Sequence, residues 1–245
     1  MKLVLRSLPV LCLTLAVLVY AADTWVLKKN VKVGDTRRYQ VTAEVTMGDE
    51  KSTLTSQVIR KVVRVDTDGT FQEESVYTST KYKSGTFEVD LGSRPSELSI
   101  YRSNGSIVEL KSRGPIQSTV DPSTYRTNNL SLLRYSDKAT GVGDSWTWEE
   151  KLNPKTGAVA YKCEYKVVKR EKYQGIDALT IKATGRELVG SPAATSEATF
   201  TIDPSDGSLL KSVVNLKNAT LPDSPTLVNM TVTAIRDLGT VTPRT

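Results

Sequence analysis

The chain has 245 residues, with 33 Lys and Arg against 27 Asp and Glu, a net charge of +6 and no histidine. The lack of histidine excludes Ser-His-Asp and Cys-His catalysis, His-based zinc sites and His-ligated haem. The basic residues are spread among apolar and acidic ones instead of clustering with aromatics, so no nucleic-acid partner is expected.

Lys2 and Arg6 open the chain, and Leu8 to Tyr20 is almost wholly apolar, broken by Pro9, Cys12 and Thr14. A charged start, a short apolar run and the pattern Val19, Ala21 read as a secretory signal peptide over 1–21, cut after Ala21 or one residue later. The run falls short of the roughly 20 apolar residues that a bilayer span needs, and an uncleaved N-terminal anchor is the alternative. Leu11 stands before Cys12 where a lipidation site wants a small residue, and apolar sequence continues beyond it. No later segment is apolar enough to cross a membrane. The exported chain is therefore expected to be periplasmic or secreted, without a transmembrane span after cleavage.

The mature part is about 220 residues long, room for one large or two small domains. Loss of the two signal charges brings +6 down to +4. Cys163 is then the only thiol left, so no internal disulfide can form. It alternates with Tyr161 and Tyr165, as a buried small side chain would. An exported protein of this size without disulfides fits a bacterial envelope better than an animal secretory pathway. Asn104, Asn129, Asn218 and Asn229 head Asn-x-Ser/Thr triplets that a eukaryotic route could glycosylate. A chain rich in Ser, Thr and Asn also produces such triplets by chance, and that is the reading adopted.

The first β-rich half spans 22–120. After Val33-Gly34-Asp35-Thr36, Tyr39, Val41, Ala43, Val45 and Met47 alternate with Gln40, Thr42, Glu44 and Thr46. Such alternation means strands with one buried and one wet face. Asp68-Gly69 and Asn104-Gly105 are turns, the second a strong hairpin signal. The connecting segment, 121–141, loses the two-residue period. Asp121 can cap a helix with Pro122 at its first position, and Tyr125, Leu130, Leu132 and Leu133 would supply its apolar surface; a plain linker is the alternative. The second β-rich half spans 142–238. Tyr161, Cys163, Tyr165 and Val167 alternate with Lys162, Glu164 and Lys166, and Val228, Met230, Val232 and Ala234 with Asn229, Thr231 and Thr233. Gly190 to Thr195 reads as a loop, Asp206-Gly207 as a hairpin turn, and 239–245 as a flexible tail.

The halves repeat one another in order. Val33-Gly34-Asp35-Thr36 returns as Val142-Gly143-Asp144-Ser145, and Arg60-Lys61-Val62-Val63-Arg64 as Tyr165-Lys166-Val167-Val168-Lys169. Asp68-Gly69 matches Gln174-Gly175, and Ser103 to Val108 matches Ser205 to Leu210. Four matches in register point to duplication, with about five strands in each half. Reuse of the same turns by unrelated hairpins is the competing account. The fold expected is all-β: a curved antiparallel sheet or half-barrel made from two similar halves, with a short central helix.

The strand after Val33-Gly34-Asp35, the hairpin runs and Thr201-Ile202-Asp203-Pro204-Ser205-Asp206-Gly207-Ser208-Leu209 resemble the periplasmic lipoprotein-carrier (LolA/LolB-like) half-barrel. The chain also resembles exported bacterial proteins with a Val-Gly-Asp-x-aromatic strand. The first resemblance implies a concave apolar surface able to take an acyl chain, with short helices near it. The duplicated halves depart from that pattern, and no motif carries lipid-contact residues over one by one.

Candidate sites divide between function and framework. Asp35 and Asp144 could pair as carboxylates for acid–base work or calcium, yet a Gly-Asp turn role is commoner. Asp203, Ser205, Asp206 and Gly207 lack the further carboxylates of a calcium loop. Trp146 and Trp148 share a sheet face and could line a cavity or pack a core. Arg60, Lys61 and Arg64, with Lys166, Lys169 and Arg170, could attract anionic lipid or polysaccharide, although a solvated strand face is the usual place for such residues. Ser208-Leu209-Leu210-Lys211 has Ser-Lys spacing but falls in a strand, which is no setting for a Ser-Lys enzyme.

These residues suggest a non-enzymatic envelope protein binding a lipid or a lipoprotein acyl chain. The groove would be lined by Tyr39, Val41, Val45, Trp146, Trp148, Tyr161 and Tyr165, with no cofactor and no metal. A structural or protein-interaction β module with the same side chains in a closed core is the alternative. A histidine-free hydrolase is the least supported reading.

Overall fold

The structure, a computed structural model, describes residues 23–112, 120–221 and 226–239. The expected signal peptide lies outside the described residues, as does the tail beyond Gly239. The first half holds β1 (Thr24–Trp25), β2 (Thr36–Met47), β3 (Glu50–Val65), β4 (Phe71–Ser84), β5 (Phe87–Asp90), β6 (Arg94–Tyr101) and β7 (Ile107–Ser112). Then come α1 (Pro122–Ser131) and β8 (Thr140–Gly141). The second half holds β9 (Ser145–Glu150), β10 (Tyr161–Tyr173), β11 (Ile176–Glu187), β12 (Thr195–Asp203), β13 (Ser208–Thr220) and β14 (Leu227–Asp237).

The fold is all-β, as the alternation requires. One twelve-stranded antiparallel sheet runs β7-β6-β4-β3-β2-β14-β13-β12-β11-β10-β9, with β5 beside β4. It is curved but not closed into a barrel. Each half is a meander, and the two join where β2, first in its half, pairs with β14, last in the other: Ala43 sits opposite Val232. The loop expected at Gly190 to Thr195 links β11 to β12.

The repeated motifs make matching bonds. Gly34 N–H donates to the Val62 carbonyl (2.8 Å) and Val62 N–H to the Asp35 carbonyl (2.9 Å). Gly143, Val167 and Asp144 do the same at 2.8 and 2.9 Å. The Asp35 carboxylate accepts from Lys32 N–H (2.9 Å) and that of Asp144 from Gly141 N–H (2.8 Å). The register shifts just after Val62 in β3 and just after Val167 in β10. Both aspartates therefore hold the entry to a strand, β2 after Asp35 and β9 after Asp144.

Helix α1 starts as its sequence dictates. Asp121 accepts from Ser123 N–H at 2.7 Å with Pro122 in the first turn, where its missing N–H costs nothing. It stops at Ser131, short of Leu132 and Leu133, which were expected to belong to it. Leu132 is extended, and Leu132 to Tyr135 form a strap across the inner face of the sheet instead. The strap bonds the sheet: Tyr165 Oη donates to the Leu132 carbonyl (3.1 Å) and Trp146 Nε1 to that of Arg134 (2.8 Å). Continuing the helix would forfeit these bonds.

Residues Leu27 to Val31 form a second strap, and both straps bridge the two hairpin turns. Lys29 N–H donates to the Ser103 carbonyl (2.8 Å) and Asn30 N–H to that of Asp206 (2.9 Å). Tyr135 N–H donates to the Asn104 carbonyl (2.8 Å), while its hydroxyl donates to that of Gly207. The contacts leave no room for side chains at the turns. A Cβ on Gly105 would overlap the Leu133 carbonyl, and one on Gly207 that of Lys28, at positive φ in both cases.

The main core lies between the second half and the covering helix and strap. It includes Leu130, Leu133, Tyr165, Val167, Phe200 and Val214. A smaller cluster of Val62, Phe71 and Tyr101 forms on the first half. Arg126 fixes α1 to β11 through a two-pronged ion pair with the buried Glu187 (2.6 and 2.7 Å). Tyr125 Oη accepts from Leu110 N–H (3.0 Å) and so covers part of the β7 edge.

Candidate functional site

Because α1 covers the second half more closely than the first, space remains beneath it. A cavity of about 160 Å³ lies between the sheet, α1 and the two straps. Val41, Leu132, Phe200, Val214, Val232 and Ala234 form its apolar wall. Its other end is charged, with Lys29, Arg37, Arg60 and Glu73. Arg60 and Asn128 also border a hollow of about 590 Å³ on the inner face of the first half, where Tyr77, Arg94, Glu97 and Ser99 supply polar walls.

The charges are unevenly matched. Arg37 is bonded to Asp206 (3.1 Å) and lies 3.8 Å from Asp35. Among the described residues Arg60 has one carboxylate, Glu73 at 3.9 Å, and it stacks over the Tyr39 ring, 5.0 Å from its centroid. Its Nε is buried without a hydrogen-bond partner among the described residues. The Lys29 ammonium sits over the rings of Tyr101 (4.5 Å) and Phe71 (5.5 Å), a cation–π arrangement in place of a carboxylate. Burial lowers the pKa of Lys29 to about 8, with Glu73 opposing the shift and Arg60, Arg134 and Arg37 adding to it. Burial also raises the phenols of Tyr39 and Tyr101.

Of the seven expected groove residues, Tyr39 and Val41 line the cavity. Tyr39 Oη donates to the Leu209 carbonyl at 3.1 Å. Tyr165 and Trp146 stack on each other (5.3 Å between centroids) and bond the Leu132–Tyr135 strap. Tyr161 is buried, with its hydroxyl on Glu150 and 3.4 Å from Arg134 Nη2. Val45 and Trp148 pack against the main core. Five of the seven are thus held in framework contacts.

Lys61, Arg64, Lys166, Lys169 and Arg170 are exposed, as a solvated strand face would be. Arg60 departs from that expectation and points inward, because it is in phase with the buried Val58 and Val62. The period-two pattern already held this signal. Lys29, Glu73 and Arg134 were also missed. Arg134 is wholly buried, with Nη2 on Asn129 Oδ1 (3.2 Å) and Nε and Nη1 without partners among the described residues.

The Asp203 carboxylate is taken up by Ser205, and that of Asp206 by Ser208 N–H and Arg37. Cys163 is free and buried, and burial raises its pKa. Asn129 of the glycan triplets is also buried. No helix among the described residues is long and apolar enough to cross a membrane.

No family model matches the chain, and no curated protein matches it. Among solved structures it is similar to a DUF1329 family protein from Desulfovibrio piger. That likeness has a TM-score of 0.25 and 11% identity, over 84% of this chain and 87% of the other. A likeness at that level transfers no function.

Proposed function

We propose that the chain is an exported, non-enzymatic protein that binds an amphiphilic ligand between the inner face of its sheet and α1. The matching bonds of the two halves support its origin by duplication. The observation that carries the reading is the apolar cavity beneath α1, which shares Arg60 and Asn128 in its lining with a wider polar hollow. At about 160 Å³ the cavity compares with an engineered apolar void of about 150 Å³ that takes benzene. With the hollow of about 590 Å³, the pair falls in the range of about 300–1,000 Å³ typical of small-molecule sites. An apolar group fits the first space and polar atoms the second.

Titration with a fluorescent dansyl fatty acid tests this reading. Saturable emission that unlabelled fatty acid displaces is expected. Linear, undisplaced emission would leave the structural β module as the better account.

A further inference from the structure

We infer that the ligand is an amphiphile carrying one anionic group, a carboxylate or a phosphate, seated between Lys29 and Arg60. This rests on the reading of the cavity as an amphiphile site and specifies the head group.

The inference follows from the polar end of the cavity. Two cations, Lys29 and Arg60, share one carboxylate, Glu73, since Arg37 already has Asp206 and Asp35. The Glu73 contact is an ion pair at 3.9 Å, beyond hydrogen-bond length, and reaches Nη1 of Arg60 rather than Nε. No ion pair among the described residues includes Lys29. Lys29 and Arg60 are partly buried, and Arg134 adds a wholly buried positive charge whose hydrogen bonds go to an amide and a phenol. Buried cations without matched anions are costly, and a polar atom shut from water needs a partner. An anion at the junction would supply both, with charge-assisted bonds to Arg60 Nε and Lys29 Nζ. Burial is the main cause of the depressed pKa of Lys29, Glu73 opposes it, and Arg60, Arg134 and Arg37 add smaller repulsions.

The apolar wall says what the anion must be attached to. A small free anion would leave Phe200, Val214 and Val232 facing an empty space. A carboxylate on a short alkyl chain would satisfy both ends.

Calorimetric titration at pH 7 with octanoate, octanol and inorganic phosphate tests the inference on the wild type and on Arg60→Gln and Lys29→Met. The wild type is expected to bind octanoate at least about tenfold more tightly than octanol, and phosphate more weakly than either. Each substitution is expected to bring the octanoate-to-octanol ratio toward one. Equal wild-type affinities for octanoate and octanol would overturn the anionic head while leaving the cavity as an amphiphile site. Phosphate bound as tightly as octanoate would overturn the amphiphile in favour of a free anion. Failure of all three to bind would overturn both readings. The wild-type comparison stands whether or not a variant folds.

Discussion

Replacing Ala234 by leucine turns the cavity into a question of sign. Ala234 lies on β14 opposite Val41, is 6% exposed and faces the space beneath α1. Leucine adds three carbons. If about 160 Å³ stands open, their burial contributes about 2 kcal/mol at about 0.8 per carbon, less about 0.5–1 for the ordered side chain. A net gain of about 1–2 kcal/mol remains. In a filled core the same change is overpacking and costs about 1–3 kcal/mol. Urea denaturation reads the difference, and octanoate titration on the same protein reads the consequence. The variant should be more stable and bind octanoate at least about tenfold more weakly, because leucine takes the alkyl chain's place. A less stable protein with unchanged octanoate affinity would refute the reasoning.

Three further outcomes rest on other contacts. Arg126→Met leaves the buried Glu187 without its cation and should cost about 2–4 kcal/mol in urea denaturation, partly recovered in Arg126→Met/Glu187→Met. Gly207→Ala should destabilise more than Gly175→Ala. Both sit at positive φ, but only the first meets a backbone carbonyl, and faster amide exchange at Asn30 would show the released strap. Between pH 8 and 10 the unfolded chain keeps a proton on Lys29 that the folded chain gives up. Lys29 should therefore make stability rise with pH in that window, opposed toward its upper end by the buried Cys163 thiol, whose pKa is raised, and Lys29→Met should make the slope less positive. The groups facing that ammonium are Glu73 on β4, Arg60 on β3, Arg37 on β2, Arg134 on the strap and the Tyr101 ring on β6. Above pH 10 the buried tyrosines oppose the trend, since their raised pKa values keep them protonated when the unfolded chain ionises.

The parts of the fold that depend on local rules were legible. Alternation placed the strands, because one face of the sheet is less exposed than the other. Asp121 and Pro122 fixed the start of α1, and Asn104-Gly105 and Asp206-Gly207 fixed two turns. The end of α1 was not legible: what halts it is the bonding of Leu132 and Arg134 to Tyr165 and Trp146 far away in sequence. The polar end of the cavity was hidden for another reason. Arg60 and Lys61 are adjacent cations of one basic run, and composition assigns both to water. Phase alone separates them, Arg60 inward with Val58 and Val62, Lys61 outward. Glu73 likewise shares the inner face with Phe71, where a carboxylate is unexpected until Arg60 is placed diagonally across from it on β3, at 3.9 Å. The contacts of Trp146, Tyr161 and Tyr165 with the Leu132–Tyr135 strap were not legible either, because the strap has no periodic signature.

Native mass spectrometry of the protein purified from its own cells, before and after organic extraction, addresses the central claim most directly. A single adduct, removed by extraction and recovered as an acidic amphiphile, is the expected result. A mass equal to the bare chain, with no adduct formed on adding octanoate, would contradict the account.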